Sequence, residues 1–124
     1  MKVVVDTNVL VSGIINPYGK PAKILNMIVD GVLTLCVDSR IFEEYRRVLM
    51  SQRFSFPDNY VKWLLEYIEA ESEWVVPEVV VELDDIGDSP FAEVACTAGV
   101  PLITGNKKSA EFLDIFLKRW RAGE

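Results

Sequence analysis

Three carboxylates stand where their chemistry is available to a ligand: Asp6, Glu44 and Asp88. Asp6 ends the apolar run of residues 3–5, which reads as a buried strand. A carboxylate buried there without a partner costs several kcal/mol unless a cation or hydrogen-bond donors meet it. Glu44 lies three residues after Ile41 and four before Val48. On a helix it borders the apolar stripe of Ile41, Phe42, Tyr45, Val48 and Leu49, while Glu43 turns to solvent. Asp88 precedes Phe91, Ala92 and Ala95 at helical spacing and so heads an apolar helix face. Each has an ordinary reading by itself: Asp6 and Asp88 as helix N-caps, Glu44 as a boundary residue paired with a basic side chain. Together they are expected to face inward near one end of one sheet. Three close carboxylates do not all stay ionised without a counter-charge. With no histidine in the chain and no evident buried arginine beside them, the natural partner is a hard divalent cation, Mg²⁺ or Mn²⁺. Such a cation activates water and neutralises phosphate charge in phosphodiester hydrolysis.

The elements that must position these residues follow from periodicity. Residues 3–5 predict a central strand covered on both faces. Residues 7–15 predict a short helix ended by Asn16-Pro17 and Gly19, and 21–29 a second helix stopped by Asp30-Gly31. A strand over 33–37 leads to Asp38 and Ser39, both suited to cap a helix running to about residue 50. Pro57-Asp58 opens another helix, with Val61, Leu64, Leu65 and Ile68 on one face. A short strand over 74–76 is broken by Pro77, and 79–81 reads as an edge strand or a loop. After a turn-rich stretch over 84–90, a helix capped by Asp88 or Ser89 runs to about residue 98, with Pro90 in its first turn and Gly99 after it. A strand over 101–104 and the turn Gly105-Asn106 precede an amphipathic helix over 107–121. Alternating strands and helices favour an α/β fold, a mostly parallel sheet with helices on both faces. Ligands of such sheets sit beyond the carboxyl ends of the strands. The tips at Asp6 and at Thr104 to Asn106 are therefore candidates for one crevice.

The chain has 124 residues, half of them hydrophobic, which suits a single domain over 1–124. Mean hydropathy of +0.19 argues against disorder. The start carries no signal-peptide pattern, no apolar run is long enough for a membrane span, and the two cysteines, Cys36 and Cys96, read as buried reduced thiols. A cytoplasmic location is the expectation. The absence of histidine excludes His-based triads, His proton shuttles and the usual zinc sites. A net charge of −6 disfavours a broad basic surface for duplex binding, but a loaded carboxylate cluster reverses its local field.

Four stretches, VVVDTNVLVSG, SRIFEEYRRVL, DIGDSPFAEVA and VPLITGN, resemble the PIN-domain family, in its toxin-like branch, in order and spacing. The resemblance covers the chain to about Lys108. It implies a three-layer α/β/α domain and a Mg²⁺- or Mn²⁺-dependent endoribonuclease, with an antitoxin as protein partner. It carries the acidic site, catalytic and metal-holding, onto Asp6, Glu44 and Asp88. It makes Asn8 a residue that orients the first carboxylate, and Thr104 and Asn106 parts of the end-of-strand motif. Two departures stand out. Many members have a fourth acidic residue at or just after Asn106, for which Asp85 is a substitute candidate. The chain after Lys108 is also short, leaving open a missing last edge strand.

The leading expectation is thus RNA hydrolysis at Asp6, Glu44 and Asp88, with Arg46, Arg47, Lys107 and Lys108 steering the RNA backbone. The alternative is a catalytically silent PIN-like module that binds RNA or protein. A haloacid dehalogenase-type phosphatase ranks below both, because that chemistry wants an aspartate where Asn8 stands. Phe112, Phe116 and Trp120 share a face of the last helix, available to the core or to a partner, either a second copy in a homodimer or an antitoxin.

Overall fold

The computed structural model describes residues 1–78, 80 and 89–105. Strands and helices alternate, in the order β1 (Lys2–Val5), α1 (Thr7–Ile15), α2 (Lys20–Val29), β2 (Thr34–Val37), α3 (Ser39–Leu49), α4 (Asp58–Glu71), β3 (Glu73–Trp74), α5 (Ser89–Ala98) and β4 (Leu102–Ile103). The four strands form one sheet in the order β3-β2-β1-β4, every pair parallel. Val3 lies opposite Leu35 on one side of β1, and Val5 opposite Ile103 on the other.

Successive strand residues point to opposite faces. Val3, Val4 and Val5 are nevertheless all fully buried, as are Cys36 and Val37, so helices cover the sheet on both sides. This is why β1 reads as an unbroken apolar run rather than an alternating one. The expected α/β architecture with a parallel central sheet is present.

Local sequence explains the helices. Pro21 sits in the first turn of α2, where its missing N–H costs nothing, and Gly31 takes the positive φ of 78° that ends the helix. Gly13 is buried where α1 crosses α2, and a Cβ there would lie 3.0 Å from the Pro21 carbonyl oxygen, so the small residue permits the close approach. Asp38 caps α3 by accepting from the Ile41 amide at 2.9 Å. The carboxylate of Asp38 also binds Arg40, and Arg40 reaches Glu93 on α5 at 2.9 Å. One guanidinium thus compensates two carboxylates that are nearly buried.

Two expectations are corrected. The third strand is Glu73–Trp74, not 74–76, and Val76 is exposed beyond it. It lies at the edge of the sheet, where pairing with β2 alone sustains little length. Cys36 is buried, and desolvation followed by the Glu73 carboxylate pushes its thiol up, but Cys96 is exposed. Phe91, Val94 and Ala95 form the core side of α5, and position 96 falls off that side. The expected edge segment over 79–81, the helix over 107–121 and the question of a last edge strand fall wholly or mainly outside the described residues. No helix among those residues is long and apolar enough to cross a membrane.

Candidate functional site

The strand order defines the crevice. From β1 the chain moves to β2 and β3 on one side, then returns to the other side of β1 with β4. The topological switch lies between β1 and β4, beyond whose carboxyl ends an open parallel sheet holds its ligand. Asp6 follows β1 at that point, and its amide donates to the Ile103 carbonyl at 2.9 Å. Thr104 and Gly105 follow β4 beside it. A Cβ on Gly105 would lie 4.0 Å from the Asn8 Cβ, so the tip of β4 rests against the first turn of α1. Asn8 is exposed and Thr104 half-buried.

Asp6 occupies the N-cap position of α1, yet its side chain makes no capping hydrogen bond. Its capping role is carried by the backbone, whose carbonyl accepts from the Val9 amide at 3.0 Å. The next residue joins this corner to α3. Thr7 is 4% exposed, and its hydroxyl donates to the Glu44 carboxylate. A hydroxyl hydrogen bond to a charged oxygen is worth about 1.5–3 kcal/mol and fixes the acceptor's rotamer. Glu44 is where its helical position predicts, on the border of the buried stripe, its side chain 27% exposed.

Tyr45 ties the same corner from below. It is fully buried, and its phenol donates to the Val5 carbonyl, the last of β1. Burial first, then the negative charges of Asp6 and Glu44, hold this phenol well above its ordinary range. The two carboxylates therefore bear on one buried hydroxyl from different parts of the chain. Phe91, the third residue of α5, packs on Tyr45 with ring centroids 6.2 Å apart. The first turn of α5, which begins at Ser89, is thereby held close to this corner.

Neighbouring cations separate this corner from the nearby acidic pair. Arg40 makes contacts of 2.8 and 2.9 Å with Asp38 and Glu93. Arg47 approaches Glu44 only to 3.9 Å and is 69% exposed. Arg46 points elsewhere and is committed to Glu43 on the solvent side of α3.

The described part of the site thus brings together Asp6, Glu44, Asn8 and Thr104, with Arg47 at the rim. Asp88, Asn106, Lys107, Lys108 and Asp85 lie outside the described residues. Among the described residues no cluster of three or more acidic or sulfur side chains is placed to hold a cation. Asp6 and Glu44 contribute hard oxygen donors, of the kind Mg²⁺ and Mn²⁺ accept. Thr7 and Tyr45 were not foreseen from sequence. Thr7 was visible only as the middle of DTN, and Tyr45 only as an apolar-stripe residue whose hydroxyl needs a partner.

The sequence profile of the PIN domain matches residues 2–108. An uncharacterised protein of Methanocaldococcus jannaschii is 30% identical over 111 residues, covering 86% of this chain and 72% of its own. No solved structure matches. With its parallel sheet and its acidic residues at the switch point, the chain belongs to the PIN-domain family, whose fold is a nuclease fold, typically that of metal-dependent ribonucleases.

Proposed function

We propose that this protein is a Mg²⁺- or Mn²⁺-dependent endoribonuclease in which Asp6, Glu44 and Asp88 hold the cation. The observation that carries the reading is the junction of Asp6 and Glu44 through Thr7 and Tyr45 at the switch point of the sheet. The bound cation would supply charge neutralisation at the phosphate and a more acidic water. The chain's own residues do the rest. Thr7 holds Glu44 in one rotamer, and Tyr45 fixes the end of β1 and with it Asp6. Arg47 meets the RNA backbone at the rim, and Asn8, Thr104 and Asn106 offer neutral polar groups to the phosphate or to Asp6. Lys107 and Lys108 are further candidates for backbone contact, and Arg46 contributes only where it leaves Glu43. Hydrolysis proceeds by in-line attack of water on phosphorus, which breaks the bond to the departing sugar oxygen.

Cleavage of single-stranded RNA with Mn²⁺ is the test, run on the native chain and on Asp6→Asn. Activity in the native chain that drops at least a hundredfold in the variant supports the assignment. Equal rates in both reject it. Within this reading the chain is the toxin of a toxin-antitoxin pair, working in the cytoplasm as a homodimer. Induced expression should arrest growth, and Asp6→Asn should relieve the arrest.

One observation favours a second reading, a catalytically silent binding module: Asn106 offers a carbonyl oxygen where a fourth carboxylate would add charge. Calorimetry with Mn²⁺ separates the two, because a silent module takes up no heat-detectable metal.

A further inference from the structure

Glu44 and Arg47 stand at i and i+3 on one side of α3, which ends at Leu49, two residues before Ser51. At 1.5 Å per residue the end of α3 lies about 8 Å along the helix from Glu44, where the connection to α4 begins. That connection is folded on itself. The Arg53 amide donates to the Ser51 hydroxyl at 3.2 Å, and the Ser55 hydroxyl to the Gln52 carbonyl at 3.2 Å. Ser55 has φ of 50°, among the described residues the one non-glycine in the left-handed region, a conformation that persists where surroundings impose it and that gathers at ligand sites. The turn holds two stacked rings, Phe54 and Phe56, half-buried against the core, with centroids 5.2 Å apart and planes 7° from parallel. The Arg53 guanidinium lies over Phe54, 5.3 Å from its centroid, and Arg53 is exposed. Beside it opens a cleft of about 410 Å³ between the end of α3 and the turn, with Ser51, Gln52 and Asp58 among its polar walls.

We infer that the turn between α3 and α4 is a nucleobase platform that extends the proposed site, holding a base of the RNA strand beyond Glu44 and Arg47, at Arg53. The inference rests on the nuclease reading. Charge selects the occupant: in a molecule of net charge −6, the exposed Arg47 and Arg53 invite a polyanion. The platform selects its form. A guanidinium held over the Phe54 ring offers a cation on which a base can stack, and only an unpaired base offers its face. Ser51, Gln52 and Asp58 supply donors and acceptors to a base edge, while Arg47 and Arg53 take the phosphates on either side. Arg46 is excluded from the track, being closed by Glu43.

The test is anisotropy of a labelled oligouridylate of about 12 nucleotides, in EDTA so that no cleavage intervenes, between about 50 and 200 mM salt. A hairpin stem of equal length is the comparison. The native chain should prefer the single strand. Arg53→Gln should weaken binding about tenfold, the low end of the loss for one stacked base. Arg47→Gln and Arg53→Gln should each lower the slope of log affinity against log salt by about 0.7. Arg53→Lys should keep the slope and still lose affinity, and Phe54→Leu should do the same. Lys62→Gln, on α4, should match the native chain. Cooperative melting verifies each variant, with Arg53→Lys and Phe54→Leu independent of one another. Native affinity and slope in both Arg53→Gln and Phe54→Leu, or equal affinity for the hairpin, overturn the inference. Mn²⁺-dependent cleavage of the same oligonucleotide is scored separately. Binding through the platform without cleavage defeats the nuclease reading alone, and cleavage with unaltered binding in both Arg53→Gln and Phe54→Leu defeats the platform alone.

Discussion

Thr7 makes the Glu44 carboxylate a positioned group rather than a mobile one. Replacing it with valine keeps the shape and removes the donor, leaving a half-buried carboxylate short of a hydrogen bond. Removing a group that orients a metal ligand costs about ten- to a hundredfold in activity. Thr7→Val should lower kcat by that order with little change in KM, and Thr7→Ser should restore it. A loss in both variants alike would make Thr7 a packing residue only. Tyr45 gives a different signature. Its phenol is held above its ordinary range in the folded chain, so the folded state keeps a proton that the unfolded state releases above about pH 10. Its contribution to stability is therefore complete below that pH and is lost as pH rises beyond it. Tyr45→Phe should cost about 1 kcal/mol at neutral pH, from the lost bond to the Val5 carbonyl, and should flatten the alkaline fall in stability. Urea midpoints across pH 8–11 measure both. Asp6 and Glu44 were legible in the sequence, because a strand end and a helix register give a side chain's direction. Their partners were not, since the hydrogen bonds of Thr7 and Tyr45 cross 37 and 40 residues. Periodicity reports which face a residue lies on, not which polar group waits there.

At the scale of elements, α1 and α3 matched their expected spans because both begin at a capping position and end where the apolar period stops. Asp38 was foreseen as a cap, but the tie from Arg40 to Glu93 was not, because an ion pair between two helices has no local signature. That tie fastens α3 to α5, and so steadies the first turn of the helix that follows Asp88. Arg40→Gln would leave Asp38 and Glu93 without their shared cation. The cost should be about 2 kcal/mol, below that of a fully buried pair because Arg40 is half exposed. It should appear as a lower urea midpoint, with little change in any activity per folded molecule. β3 marks the opposite failure. Its apolar residues suggested a strand further along, yet an edge position supported only two residues.

For the molecule as a whole, the parallel sheet and its helices followed from alternating periods, and the crevice from the rule that ligands gather beyond strand ends. The strand order needed coordinates, since nothing local says that β4 returns to the far side of β1. On the proposed reading, the cation held by Asp6, Glu44 and Asp88 should stabilise the fold. Mn²⁺ at about a hundred times its dissociation constant should add about 2.7 kcal/mol, read as a rise in melting temperature. Asp6→Asn should remove most of that rise, and an equal rise in the variant would place the ion elsewhere.

The pairing of Val5 with Ile103 also sets the order in which this corner assembles during synthesis. Asp6, Thr7, Glu44 and Tyr45 all emerge from the ribosome before β4, the strand that flanks Asp6. Contacts between such distant positions form slowly and late. A nascent chain halted before Val100 already holds Asp6, Glu44 and Asp88 in its sequence but lacks the strand that flanks Asp6. On the proposed nuclease reading, the RNA around a translating ribosome meets no completed site before β4 has emerged.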